Sequence, residues 1–259
     1  MNRIDTSPEM ETDSSPGWRF PVRRVPFSEA GELLRESLAP FRAAPLRLIG
    51  LYLLLWVPLM FLSNVPTLGP FLGDAAGAVA FTAYTCALDA ASRSELPDFR
   101  HLGVVLRFGH DKLTLLMLSG LLPVLGATAV LCGVWGMHET AQFLDELTRA
   151  NGHLPAAMDL DFQAAENLAG LPFTFVLPVW ALYRWSASRS MAANLLACLV
   201  NWRWVLAMAA FTALAGNFLV WLKGESDALA LVSLAGAIAL ELLSLSWTLA
   251  LAKRSFPPH

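Results

Sequence analysis

Apolar residues in this chain gather into long unbroken runs instead of alternating with polar ones. About 20 mainly apolar residues in a helix cross the roughly 30 Å hydrocarbon core of a bilayer. By that measure the runs predict six spans, at 46–62, 70–91, 113–137, 168–183, 204–222 and 228–252. The turn Ser63-Asn64-Val65-Pro66-Thr67-Leu68-Gly69-Pro70 reverses the chain between the first two. Span four is interrupted by Pro172 and Pro178, which leave backbone carbonyls without their usual donors. They predict a kink, with a broken-helix binding site as the alternative. Two further segments have helical periodicity with one apolar side, and read as helices lying on the membrane surface. In the first, Leu33, Leu34, Leu38 and Phe41 oppose Glu29, Glu32, Arg35 and Glu36, with Ser28 as a candidate N-cap. In the second, 186–201, Met191, Leu195 and Leu199 share a side. The expected organisation is a disordered cytoplasmic tail at 1–26, an interfacial amphipathic helix at 27–45 and a transmembrane helical domain at 46–259. The fold class is all-α: a polytopic transmembrane bundle with both termini cytoplasmic.

Composition agrees with this pattern. The 259 residues are 56% hydrophobic and 15% charged, with mean hydropathy +0.52, whereas soluble domains carry about 25% charged residues. Residues 1–17 are polar and lack the apolar core of a cleavable signal peptide, so span one is expected to act as a signal anchor. The net charge of −3 matters less than its distribution. With the N-terminus inside, sixteen of the eighteen lysines and arginines fall in cytoplasmic segments, leaving Arg149 and Lys223 outside. The positive-inside rule selects that orientation. Trp180, Tyr183, Trp185, Trp202 and Trp204 collect at the inner interface, and Trp135 and Trp221 mark the outer one. The arginine clusters suit anionic lipid heads; no nucleic-acid partner is expected.

Against this background a few polar residues stand out. Glu241 lies near the middle of span six with no basic residue at its depth, where a carboxylate is costly. Ser233, Ala237, Glu241, Ser244 and Thr248 recur at helical spacing. In span two Asp74, Ala78, Thr82, Thr85 and Asp89 form a similar stripe. Facing stripes would line a hydrated path for protons or cations, with Glu241, Asp74, Asp89, Thr82, Thr85 and Ser244 as its candidate residues. The competing reading is that the same hydroxyls and acids hold helices together. Gly69, Gly73 and Gly77 repeat G-x-x-x-G and form a candidate helix-packing seam, inside one bundle or between copies. The segment 138–167 is acidic and reads as a solvated face. His138-Glu139 begins like a zinc-protease motif, but Gln142 stands where the second histidine belongs, and His153 stands alone. Cys86, Cys132 and Cys198 form no C-x-x-C pair. No catalytic, cofactor or metal residues are therefore assigned.

Several short motifs carry a resemblance. Phe41-Arg42-Ala43-Ala44-Pro45 leads into the first span, and Val65-Pro66-Thr67-Leu68-Gly69-Pro70 into a second rich in small residues. Glu95-Leu96-Pro97-Asp98-Phe99 with His101-Leu102 follows, and Ser190 to Trp204 contains an Asn-Trp step before a new span. Over 27–252 the chain resembles a family of uncharacterised multi-span bacterial inner-membrane proteins, a domain of unknown function. The resemblance implies a bacterial inner membrane and a helical bundle, and no activity. The expected function is a non-enzymatic scaffold or accessory subunit, with a homo-oligomer or membrane-protein partner. The alternative is a transporter or channel for protons, cations or a small solute.

Overall fold

A computed structural model describes residues 22–65, 68–147, 156–183, 185–223 and 227–256. The tail expected at 1–26 lies outside these as far as residue 21, as do Arg149 and His153. Every regular element among the described residues is helical: α1 (Ala30–Ala43), α2 (Pro45–Ser63), α3 (Gly69–Ser92), α4 (Phe99–Leu102), α5 (His110–Val134), α6 (Met137–Leu147), α7 (Ala156–Gly170), α8 (Val176–Leu182), α9 (Ala187–Val200), α10 (Trp202–Lys223) and α11 (Asp227–Ser255), with short 3-10 turns between some of them.

Five segments are long and apolar enough to cross a membrane: 45–63, 71–92, 110–134, 164–182 and 228–255. A sixth is reached if α9 and α10, which meet at an angle of 85°, count as one bent span. Leu46, Phe61, Val134, Leu214 and Leu231 point outward and are mostly exposed. An apolar exterior of this kind is stable against lipid tails and not against water. This is an all-α membrane protein.

The central helix is α3. Of its most apolar window 61% is buried, against 17% for α2 and for α11, because it packs on α1, α2, α5, α8 and α11 together. Small residues allow this. A Cβ on Gly120 of α5 would overlap the Asp74 carbonyl of α3, and one on Gly126 would lie 2.8 Å from Ala169 of α7. Main-chain approach of this kind replaces the hydrophobic drive that lipid cannot supply between helices.

One end of the bundle carries Arg23, Arg93, Lys253 and Arg254 and is here the basic end; α6 and the start of α7 form the acidic end. At the basic end three expectations change. Ser28 caps nothing: a 3-10 turn at Phe27–Glu29 opens behind Pro26 without any side-chain cap. The glutamate side of α1 stays exposed at Glu32 and Glu36 but also gains a basic partner. Arg254 of α11 pairs with Glu29, with Glu32 at 2.9 Å and with Glu36 at 2.7 Å. The buried contact face of α1 is Leu33, Ser37 and Pro40, with Ser246 Oγ donating to the Ser37 carbonyl at 2.6 Å, while Leu34 stays exposed. The Glu95 to Leu102 motif forms a capping box around α4. Asp98 accepts from the Arg100 N–H at 2.9 Å, and its own N–H donates to His101 Nδ1 at 3.1 Å.

The described parts of the acidic segment keep their acids exposed at Glu139, Asp145, Glu146 and Asp161 but bury an apolar side. Gly136, in the left-handed region at φ +96°, turns the chain out of α5 into α6. Phe143 and Phe162 then bury themselves against Val124, Ala127 and Leu131 of α5.

Candidate functional site

Glu241 does not stand alone in its span. The Tyr52 hydroxyl of α2 donates to its Oε2. Tyr52 is fully buried, held edge-on by Tyr84 at 5.7 Å and stacked on Phe81 at 6.2 Å. Beside this pair lies a cavity of about 530 Å³, bounded by α2, α3, α5, α7, α8 and α11. Asp74, Glu166 and Glu241 all border it, with Ser63, Ser119, Thr174, Ser244 and Thr248.

The hydrogen bonding of the walls fixes what the cavity offers. Ser119, Thr174, Ser244 and Thr248 each donate their hydroxyl hydrogen to a backbone carbonyl three or four residues earlier, at 2.6–3.0 Å. Their oxygens keep acceptor capacity only. No lysine, arginine or histidine lines the space among the described residues. The lining therefore combines three carboxyls with four spent hydroxyls and that of Ser63. No group of three or more His, Cys, Asp or Glu is gathered closely enough among the described residues to hold a metal ion, so the carboxyls act at separate points.

The broken span supplies one wall. Between α7 and α8 the chain makes a 3-10 turn, Leu171–Phe173, around Pro172. Asn194 of α9 locks this break from the side. Its Nδ2 donates to the Pro172 carbonyl at 2.7 Å, and its Oδ1 accepts from the Phe175 N–H at 3.0 Å. Two backbone groups left open by the break are thus satisfied by a fully buried side chain. The same choice orients α9: Ser190, Asn194 and Ala197 face the protein, while Leu195 and Leu199 face outward.

The two polar stripes divide on folding. Asp74, Glu241 and Ser244 reach the cavity. Thr82 and Thr85 are buried and donate to the Ala78 and Phe81 carbonyls of their own helix at 2.8 and 2.7 Å. Asp89 belongs to a separate cluster at the basic end, 2.6 Å from Lys253 Nζ and 3.0 Å from Arg93. A dry core of Tyr84, Leu88, Leu245 and Leu249 lies between. The glycines divide as well. A Cβ on Gly69 or Gly73 would strike Ser63 at the end of α2, so these two serve packing within the chain. Gly77 meets only Phe81 of its own helix and borders the cavity.

Glu166 and Tyr52 were not legible as site residues. Glu166 reads in sequence as one more acid of the acidic segment. Phe162, Glu166 and Gly170 are spaced at four residues, which puts them on one helix face, and the first of these is buried. Glu166 also borders a second cavity of about 470 Å³, which extends past Thr174 to Val205, Met208 and Thr212 of α10. Compared with known proteins, the chain matches no family model, no curated protein and no solved structure.

Proposed function

We propose that this chain is a six-span protein of a bacterial inner membrane, with both termini cytoplasmic, and that its cavity takes up protons or a small cationic solute for transport. The observation that carries the reading is the lining: three carboxyls and four hydroxyls whose hydrogens are already donated, with no positive side chain among the described residues. Such a surface is complementary to a donor-rich, positively charged guest, and would be poorly complementary to an anion. The distribution of lysine and arginine supports the orientation, with the basic end inside. Glu241 would then sit near mid-membrane, reached from the outer half through Asp74 and Glu166.

A second reading rests on the dry core between the cavity and Asp89. A pocket closed toward the basic end suits a non-enzymatic accessory or scaffold subunit that holds a guest without passing it on. Transport requires that Tyr52, Tyr84 and Leu88 separate in another state, as when bundles rock around a fixed site. The test is flux of protons and of monovalent and small organic cations into liposomes holding the purified protein, beside Glu241→Gln and Asp74→Asn. Flux in the native protein that both variants lose supports transport. Normal insertion with no flux of any of these leaves the accessory reading.

A further inference from the structure

At the basic end, a different cavity of about 470 Å³ is bordered by Arg23, Arg24, Phe27, Arg203 and Trp204. Its charge is not balanced from within. Arg23 is paired with Glu29 at 2.5 Å, but neither Arg24 nor Arg203 is ion-paired among the described residues, and both are exposed. Arg203 lies over the Trp202 ring at 5.5 Å.

The arginines are carried on a fixed backbone. Asn201 accepts from the Val25 N–H at 2.8 Å and donates to the Arg23 carbonyl at 3.2 Å. Trp204 Nε1 donates to the Val25 carbonyl at 2.9 Å, and the Arg23 N–H donates to Ser255 at 2.8 Å. Four hydrogen bonds thus hold a short extended segment across the tips of α10 and α11. Ordering of this kind removes much of the entropic cost of binding.

Around this basic cavity the surface is apolar. Leu199 is 72% exposed, Trp202 52%, Phe27 48% and Leu206 45%. A cavity with two uncompensated guanidinium groups, rimmed by outward-facing leucine and aromatic side chains, matches a molecule with an anionic head and apolar chains. Guanidinium forks pair with phosphate oxygens in a bidentate manner.

We propose that this cavity is a specific site for an anionic phospholipid, with the headgroup phosphate held by Arg24 and Arg203 and the acyl chains laid over Leu199, Trp202 and Leu206. The site is independent of the carboxyl-lined cavity and of what that cavity takes.

The experiment is native mass spectrometry of the detergent-purified full chain, titrated with dioctanoyl phosphatidylglycerol and, separately, with dioctanoyl phosphatidylcholine. The variants are Arg24→Gln/Arg203→Gln and, as a charge-matched control elsewhere at the basic end, Arg42→Gln/Arg47→Gln. The native protein and the control are expected to retain one saturable phosphatidylglycerol. The Arg24/Arg203 variant is expected to bind it at least about tenfold more weakly, since each basic residue near an anionic lipid contributes about 1 kcal/mol. Thermal melting checks that each variant is folded; if the double variant is not, Arg203→Gln alone replaces it. Equal losses in both double variants, or binding of phosphatidylcholine as tight as phosphatidylglycerol, overturns the proposal. Competition with glycerol phosphate separates the two sources of the anion. Displacement of the lipid at equal concentration would mean a free phosphate ester is the ligand, and would also overturn it.

Discussion

Replacing Asn194 by alanine removes the side chain that bridges the break in the fourth apolar segment. Two buried backbone groups lose their partners at once, the Pro172 carbonyl and the Phe175 N–H. Leaving one buried polar group unpaired costs about 1–3 kcal/mol. Two such groups would cost about 2–6 kcal/mol; the Pro172 carbonyl keeps a weak contact with Cys198 Sγ at 3.5 Å, which places the sum in the lower half, at about 2–4 kcal/mol. For a chain of this size that corresponds to a drop in melting temperature of about 5–15 °C. The break borders both cavities through Thr174 and Gly170, so loosening it is also expected to weaken any guest-dependent stabilisation. Melting of the purified variant by tryptophan fluorescence measures the first effect, and its dependence on added cation the second. Thr174→Val makes a useful companion, since it removes only one bond to Leu171 at 2.9 Å and is expected to cost about 1 kcal/mol. An Asn194→Ala protein that melts within about 2 °C of native would refute the account of the break.

Three other substitutions test packing and charge. Gly73→Leu is expected to destabilise the isolated chain, because its side chain would have to displace Ser63 of α2, whereas Gly77→Ala should melt like the native protein; loss of an oligomer with unchanged monomer stability in Gly73→Leu would reverse this. Desolvation pushes the Asp98 carboxyl up, but the Arg100 N–H, the charge and N–H of His101 and the Arg100 charge together pull it further down, so it sits below the ordinary carboxylate range. A depressed folded value stabilises the folded state above the unfolded value of about 3.9, and that contribution is lost as pH falls through the lower folded value. Asp98→Ala is therefore expected to accelerate amide exchange in α4 at neutral pH, with the difference from native disappearing under strongly acidic conditions.

The spans were legible because each depends on a local property, a long apolar run, that needs no knowledge of neighbours. Glu241 and Asp74 were legible for the same reason, as acids where lipid should be. What the sequence could not reveal were partners brought from elsewhere in the chain. Tyr52 is 189 residues from Glu241, and Asn194 serves a carbonyl and an amide of the break between α7 and α8, 22 and 19 residues away. Periodicity assigns a residue to a face but not to a neighbour. The same limit explains Asp89 and Thr85, which share the stripe of Asp74 yet end in an ion pair and a self-bonded hydroxyl. Only the register of α3 against α2 and α11 separates them. The partner of the α1 glutamates, Arg254, is 218–225 residues away and equally beyond the reach of periodicity.

That register carries a consequence for the cavity. A carboxylate in the lipid-facing half of a span must pair with a cation or find water, and Asp89 has taken the first course with Lys253 and Arg93. Asp74, Glu166 and Glu241 have taken neither basic partner, although Lys253 lies on the same helix as Glu241. The twelve residues between them amount to about 18 Å along α11, well beyond the reach of a lysine side chain. The bundle therefore keeps most of its positive charge at one end and leaves a carboxyl-lined hollow toward the other, and Tyr52 donates to one of those acids, Glu241. Tyr52→Phe removes that donor while keeping the ring that Tyr84 and Phe81 pack against. If the hollow exists to hold a cation, the variant should still bind and should do so more tightly, because Glu241 no longer shares its charge with a hydroxyl. If the hollow is only a packing defect bridged by the tyrosine, the variant should lose stability by about 1–3 kcal/mol and gain no response to cations. Melting curves taken with and without cation separate these two cases.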